Sequence, residues 1–172
     1  EFLRSLGPEV FVMSVCQPTV PVLCAVSLMA AQNDPLRPKA MIMMGGPIDT
    51  RVNPSSVNNY ATKHSIEWFE RHVISRVPAK YPGFGRRVYP GFLQHYGFVA
   101  MNPGHHAKSH WEYFINMMRG DGPGDTDAHR KFYDEYNAVL DLDAAYYLET
   151  VQRVFQEFRL PRGVMEVHGE KV

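Results

Sequence analysis

The residue with most chemistry to offer is Cys16, in Val15-Cys16-Gln17-Pro18, where a β-rich run gives way to a helical one. Val10 to Val15 is nearly continuously apolar, the pattern of a central parallel strand covered on both faces. Gln17-Pro18 breaks that run, and proline is well tolerated in the first turn of a helix. A side chain on such a strand-to-helix turn projects from the carboxyl edge of the sheet, where open α/β folds hold their ligands. It also sits at a helix N-terminus, whose unpaired amides favour negative charge and stabilise a thiolate. The amide of Gln17 is aimed at the place where a tetrahedral oxyanion would form. The chemistry this allows is nucleophilic attack on an acyl carbon. In a G-x-S-x-G elbow a serine holds the same turn, whereas here Ser14 and Pro18 stand where the glycines would be. Free cysteines are also among the most buried residues. On residues alone, Cys16 is either a displayed nucleophile or a packed thiol, and both readings stand.

Other residues offer less. Asp49, just past a second strand, lies at the same sheet edge and could be a triad acid, although a loop Asp more commonly bonds its own backbone. His106 and His110 are i, i+4 partners on a helix with His105 beside them. Their text, H-A-K-S-H, lacks the Glu base of a zinc hydrolase, and no cysteine or carboxylate cluster completes a first shell. They read as solvated helix histidines, and neither a metal nor another cofactor is expected. None of the eight histidines falls in a strand-end loop suited to a triad base, His168 in the terminal tail being the nearest. Cys24, inside an apolar helical run, reads as core.

These residues need elements to position them. Val22 to Met29 has the composition of a buried helix, ended by Asn33-Asp34-Pro35, and Lys39 to Met44 reads as a second buried strand closed by Gly45-Gly46-Pro47. Strand, helix and strand on short links make a βαβ unit with a parallel sheet. The glycine turn is expected to let the chain pass tightly under the helical residues beyond it. From Ile48 onward the text is mainly helical and amphipathic. One helix begins near Ser65 and turns Ile66, Phe69 and Val73 to one side. A second starts after Pro90 with Phe92, Tyr96 and Val99 in phase. A third carries Trp111, Phe114 and Met118 and stops at Gly120. A fourth starts after a cap at Asp125 or Thr126 with Phe132, Tyr136 and Val139 on its stripe. The last starts after Asp143 and uses Tyr147, Val151, Val154 and Phe158. Gly163 to Val167 alternates like a short strand.

Composition narrows the classes. Hydrophobic residues are 45% and charged residues 21% of the 172, an ordinary globular balance. Eighteen basic residues offset eighteen acidic ones, so no field gathers nucleic acid or an anionic membrane. Arg86-Arg87 among Tyr81, Phe84, Tyr89, Phe92 and Tyr96 therefore reads as packing and not as a nucleic-acid platform. The longest apolar stretch, Val20 to Ala31, is too short to span a bilayer. Cys16 and Cys24 are expected to lie too far apart to bridge, which suits a reducing, cytoplasmic setting. Two sheet strands are too few for a doubly covered sheet, so the sequence is expected to be part of a longer chain.

Four stretches carry a family resemblance: SVCQPTVPVLCAVSLMAA, MIMMGGPIDTRVNP, RVYPGFLQHYGFVAMNP and HRKFYDEYNAVLDLDAAYYLETVQRVFQEFRLPRG. Together they resemble the intracellular polyhydroxyalkanoate (polyhydroxybutyrate) depolymerases. The resemblance implies a cysteine nucleophile in the V-C-Q-P stretch, which is Cys16 here. It implies an α/β fold, a fragment of an α/β-hydrolase (strand, nucleophile elbow, helix, strand) followed by an inserted, mainly α-helical cap. Residues 1–48 are then partial core, 49–162 cap, and 163–172 a return toward further core strands. The triad Asp and His are expected beyond this segment, leaving the segment alone inactive. The implied activity is ester hydrolysis of polyhydroxyalkanoate at cytoplasmic storage granules. A synthase-like acyltransferase and a non-catalytic granule-binding homologue are the alternatives.

Overall fold

A computed structural model describes residues 1–120 and 123–172, with residues 123–125 described by their backbone alone. In chain order it holds α1 (Phe2–Leu6), β1 (Phe11–Val15), α2 (Thr19–Ala31), β2 (Ala40–Met44), α3 (Ser56–Lys63) and α4 (Ile66–His72). Then come β3 (Ser75–Arg76), β4 (Arg87–Tyr89), α5 (Gly91–Met101), α6 (Pro103–Arg119), α7 (Pro123–Asn137) and β5 (Leu142–Asp143). The chain ends with α8 (Ala144–Thr150), a π-helical turn (Val151–Gln156), β6 (Glu166–Val167) and β7 (Glu170–Lys171). Helix and sheet are mixed. Among the described residues, no helix is long and apolar enough to cross a membrane.

The chain divides into two compact units, Glu1–Lys63 with Glu149–Val172, and His64–Leu148. In the first, β1 and β2 pair in parallel from Phe11↔Ala40 to Val15↔Met44, joined by α2 as the βαβ pattern requires. Side chains alternate across a strand, so Phe11, Met13 and Val15 share a face with Ala40, Ile42 and Met44. That face is open: all six residues are exposed, Phe11 at 75%. The expectation of a strand covered on both faces is corrected, because one crossover helix reaches only one side of its sheet. The core gathers Val20 and Cys24, one turn apart on α2, with Val154 and Met165. Ile48, Phe155 and Leu160 pack around them.

Val154 belongs to the turn where the helix after Asp143 widens. Glu157 N–H reaches back five residues to Gln152 O at 2.8 Å. A widened turn misaligns its carbonyls, and the buried Thr50 hydroxyl donates to Val154 O at 3.4 Å. The tail forms a two-stranded hairpin, with His168 (φ 53°) and Gly169 (φ 80°) supplying its turn.

The second unit sets a small antiparallel sheet, ordered β3-β4-β5, beside its helices. Ser65 caps α4, its hydroxyl accepting from Trp68 N–H at 3.3 Å. Asp143 caps α8, Oδ1 accepting from Ala145 N–H at 2.9 Å and Tyr146 N–H at 3.3 Å. Gly120 ends α6 in the left-handed conformation, φ 69°. α4 buries Phe69 as its spacing requires. Three other stripes are corrected. Phe92 and Tyr96 on α5, Trp111, Phe114 and Met118 on α6, and Phe132 on α7 are all exposed. α7 instead buries Tyr133 and ends at Asn137, short of Val139. It also begins at Pro123, ahead of the expected cap at Asp125 or Thr126, and the Asp125 side chain lies outside the described residues.

Candidate active site

The turn between β1 and α2 is built from three contacts. Cys16 N–H donates to Met44 O at 2.8 Å, adding one rung to the parallel ladder. The backbone then swings into the left-handed region at Cys16, φ 64°. A non-glycine residue there costs about 1–2 kcal/mol, so neighbouring bonds must hold it. Thr19 does this twice: its N–H donates to Cys16 O at 3.1 Å and its Oγ1 donates to the same oxygen at 2.8 Å. Thr19 is fully buried, with 0% exposure. Gly46 lies so close that a Cβ placed on it would sit 1.6 Å from Thr19 Oγ1. The glycine turn after β2 is thus tight against the start of α2. Thr19 is a positioning residue that the sequence pattern did not single out, and Gly46, read there only as part of a tight turn, is its partner. The one signal was a hydroxyl residue three positions after the cysteine, where it can back-bond the carbonyl.

The result is an exposed Cys16 at the carboxyl end of β1. The amides around it are mostly spent. Thr19 N–H bonds Cys16 O, Val20 N–H bonds Gln17 O at 3.3 Å, Val22 N–H bonds Pro18 O at 3.1 Å, and Pro18 and Pro21 have none. The expectation of several unpaired helix amides is corrected: the tight turn consumes them. Among the described residues, Gln17 N–H is left without a backbone acceptor, directly after the sulfur. Ser14, in the place of an elbow glycine, is buried beneath the turn, and its hydroxyl has no partner among the described residues.

Cys24 is the opposite case. It is buried beside Val20, Val154 and Met165, and burial pushes its thiol pKa above the ordinary value. Both cysteines are free. Iodoacetamide added to the native chain near neutral pH is therefore expected to alkylate Cys16 and spare Cys24. Peptide mass spectrometry checks this, and prompt labelling of Cys24 would contradict the burial argument.

Asp49 is held by Arg51. Oδ1 accepts from Arg51 Nε at 2.8 Å and Arg51 N–H at 3.1 Å, and Oδ2 from Arg51 Nη2 at 2.7 Å. The guanidinium hydrogen bonds lower the carboxyl pKa. Among the described residues it bonds nothing else, and no histidine bonds Cys16. His168 sits in the β6–β7 turn.

Of the α6 histidines, His105 and His110 are exposed, as expected, while His106 is half-buried. His106 Nδ1 lies 3.0 Å from the Tyr133 hydroxyl and Nε2 lies 3.3 Å from that of Tyr136, both on α7. His110 packs on Tyr133 and on His129, with ring centres 4.3 and 5.2 Å away, and Tyr113 stacks on His129 at 4.4 Å. Among the described residues, no group of three or more His, Cys, Asp or Glu is arranged to hold a metal ion. His129 Nε2 is buried without a partner among them. Burial first, and the neighbouring His110 second, lower its pKa below the usual imidazole value. The unfolded chain then takes up a proton more readily than the folded one. Stability is full above the ordinary histidine value of about 6.5 and declines as pH falls below it. Melting curves at about pH 7.5 and 5.5 are expected to show a larger acid drop for the parent than for His129→Gln, and equal drops would contradict this.

One comparison bears on what the site is for. The family model described as PHB de-polymerase C-terminus matches residues 45–172, well over half of the chain. The chain belongs to this family. No curated protein and no solved structure matches it. The match opens at Gly45, directly after β2, and so takes in Gly46 and the whole second unit. Cys16 and Gln17 precede it. PHB depolymerase membership points to a role in PHB depolymerisation.

Proposed function

We propose that this depolymerase-family chain carries the nucleophile of a polyester hydrolase. The Cys16 sulfur, as thiolate, adds to the carbonyl carbon of a 3-hydroxyalkanoate ester, and Gln17 N–H stabilises the resulting oxyanion. Collapse breaks the ester C–O bond, and the departing oxygen takes a proton to become the hydroxyl end of one fragment. Water then cleaves the thioester, giving the carboxylate of the other fragment and restoring the thiol. The reading assigns the proton transfers to a histidine, oriented by an aspartate, outside these residues.

The observation that carries this is the exposed cysteine held at φ 64° beside an unspent amide. A packed structural thiol has no need of strained backbone, whereas a nucleophile elbow does. In the same reading, the parallel βαβ unit is a piece of an α/β-hydrolase core. The mainly helical unit His64–Leu148 supports an inserted cap, while α3 and the turn at Val151–Gln156 go with the core unit. The polymer acted on is the stored one, at cytoplasmic granules. The test is to trap the intermediate: full-length protein is mixed with an activated 3-hydroxybutyrate ester and quenched in acid. A 3-hydroxybutyryl adduct is expected on the peptide holding Cys16. Turnover with the acyl group on another residue would sink the assignment.

A further inference from the structure

α6 presents two quite different sides. His106, His110 and Tyr113 make the seam with α7. Roughly a quarter-turn away, Trp111, Phe114 and Met118 recur at helical spacing and stand in water, 62%, 46% and 72% exposed. The Trp111 and Phe114 ring centres are 5.7 Å apart. Beside this ridge runs a shallow open depression of about 510 Å³, lined by Trp111, Glu112, Ile115, Asn116 and Arg119. Among the described residues, the side chains of Asn116 and Arg119 make no hydrogen bond or ion pair, and the Trp111 indole N–H is likewise unspent. The one carboxylate there, Glu112, lies 3.7 Å from Lys108.

Three large apolar side chains in a row, rimmed by N–H donors, call for a ligand that is apolar and rich in acceptors. An aliphatic polyester has that character: it carries methyl or alkyl branches, an ester carbonyl in every unit, no donors along its length and no charge. We propose that the Trp111–Phe114–Met118 face of α6 is the surface by which the protein adsorbs to solid polyester. The ridge covers the alkyl branches, and the indole, amide and guanidinium donors of the depression meet ester carbonyls. An anionic bilayer is disfavoured, because the ridge is flanked by a Lys108–Glu112 pair and not by a run of basic residues. This rests on the polyester reading given above, but it concerns adsorption and not the chemical step.

The test separates the two. Cys16→Ala and the triple variant Trp111→Ala/Phe114→Ala/Met118→Ala are each made in the full-length protein. Binding is read by co-sedimentation with amorphous poly-3-hydroxybutyrate particles, and chemistry by hydrolysis of a soluble short ester. The triple variant is expected to bind particles at least about tenfold more weakly, with unchanged circular dichroism and unchanged soluble-ester hydrolysis. Exposed positions tolerate such changes without unfolding. Equal binding by the triple variant, or a parent that does not sediment, overturns the proposal. So does a variant that loses self-association in size-exclusion chromatography, which makes the ridge an interface between copies. Loss of binding to anionic phosphatidylserine vesicles in equal measure also overturns it. If instead Cys16→Ala leaves ester hydrolysis intact while the triple variant loses adsorption, the assignment of Cys16 as nucleophile fails and the α6 surface stands.

Discussion

Cys16→Ala in the full-length protein is expected to lower polyester hydrolysis by at least about 10³-fold, since removing the attacking atom leaves only binding and the oxyanion donor. Loss of activity alone does not tell a nucleophile from a structural residue, and the backbone at this position does. Cys16 adopts φ 64°, where glycine is free of the steric penalty that any other side chain meets. Cys16→Gly is therefore expected to be as stable as the parent or up to about 1 kcal/mol more stable, after the extra freedom of glycine in the unfolded chain is offset. It should be equally inactive. A variant that is firmer and dead at once is what a strained catalytic turn predicts. Urea denaturation gives the stability, and release of hydroxyacid from amorphous polymer gives the activity. Undiminished release by either variant would put the nucleophile at a residue other than Cys16.

The second large effect is structural. Gly46→Ala is expected to destabilise the first unit by about 3 kcal/mol or more, at the upper end of the range for overpacking a fixed site. The new Cβ would lie 1.6 Å from Thr19 Oγ1 and 2.4 Å from Thr19 Cβ. Thr19 has no room to turn away, because it is fully buried and its hydroxyl holds the Cys16 carbonyl. Adding Thr19→Ala removes the oxygen but not the second clash, so the double variant should recover only part of the loss. Urea midpoints check the stability, and the rate of Cys16 alkylation reports whether the turn has shifted. Full recovery in the double variant, or a Gly46→Ala variant as stable as the parent, would contradict the packing argument.

The π-helical turn and the Gly46 contact share a property: each depends on atoms that meet only after folding. Neither leaves a pattern in a local stretch of text. The strands Ser75–Arg76, Arg87–Tyr89 and Leu142–Asp143 were missed for the same reason. Two or three residues are too few for an alternation to register, and β5 pairs with β4 across more than fifty intervening positions. The aromatic stripes failed differently. Periodicity placed Phe92 with Tyr96, and Trp111 with Phe114 and Met118, on common faces, and those faces exist. Which face is covered depends on the neighbouring helix. On α6 the seam to α7 is made by the histidines and Tyr113, whose polar rims can both pack and bond.

Local sequence alone determined the parallel strand pair and its crossover helix, the caps at Ser65 and Asp143, the stop at Gly120, and the placing of a cysteine on the strand-to-helix turn. Each arises from backbone preference or side-chain spacing within a few residues. Tertiary structure decided that Cys16 is exposed and strained, that Gln17 keeps its amide, that Thr19 and Gly46 lock together, and that α6 shows its tryptophan to water. Those outcomes rest on contacts between residues distant along the chain, and a linear text records which groups exist but not which of them remain unsatisfied once the rest have paired.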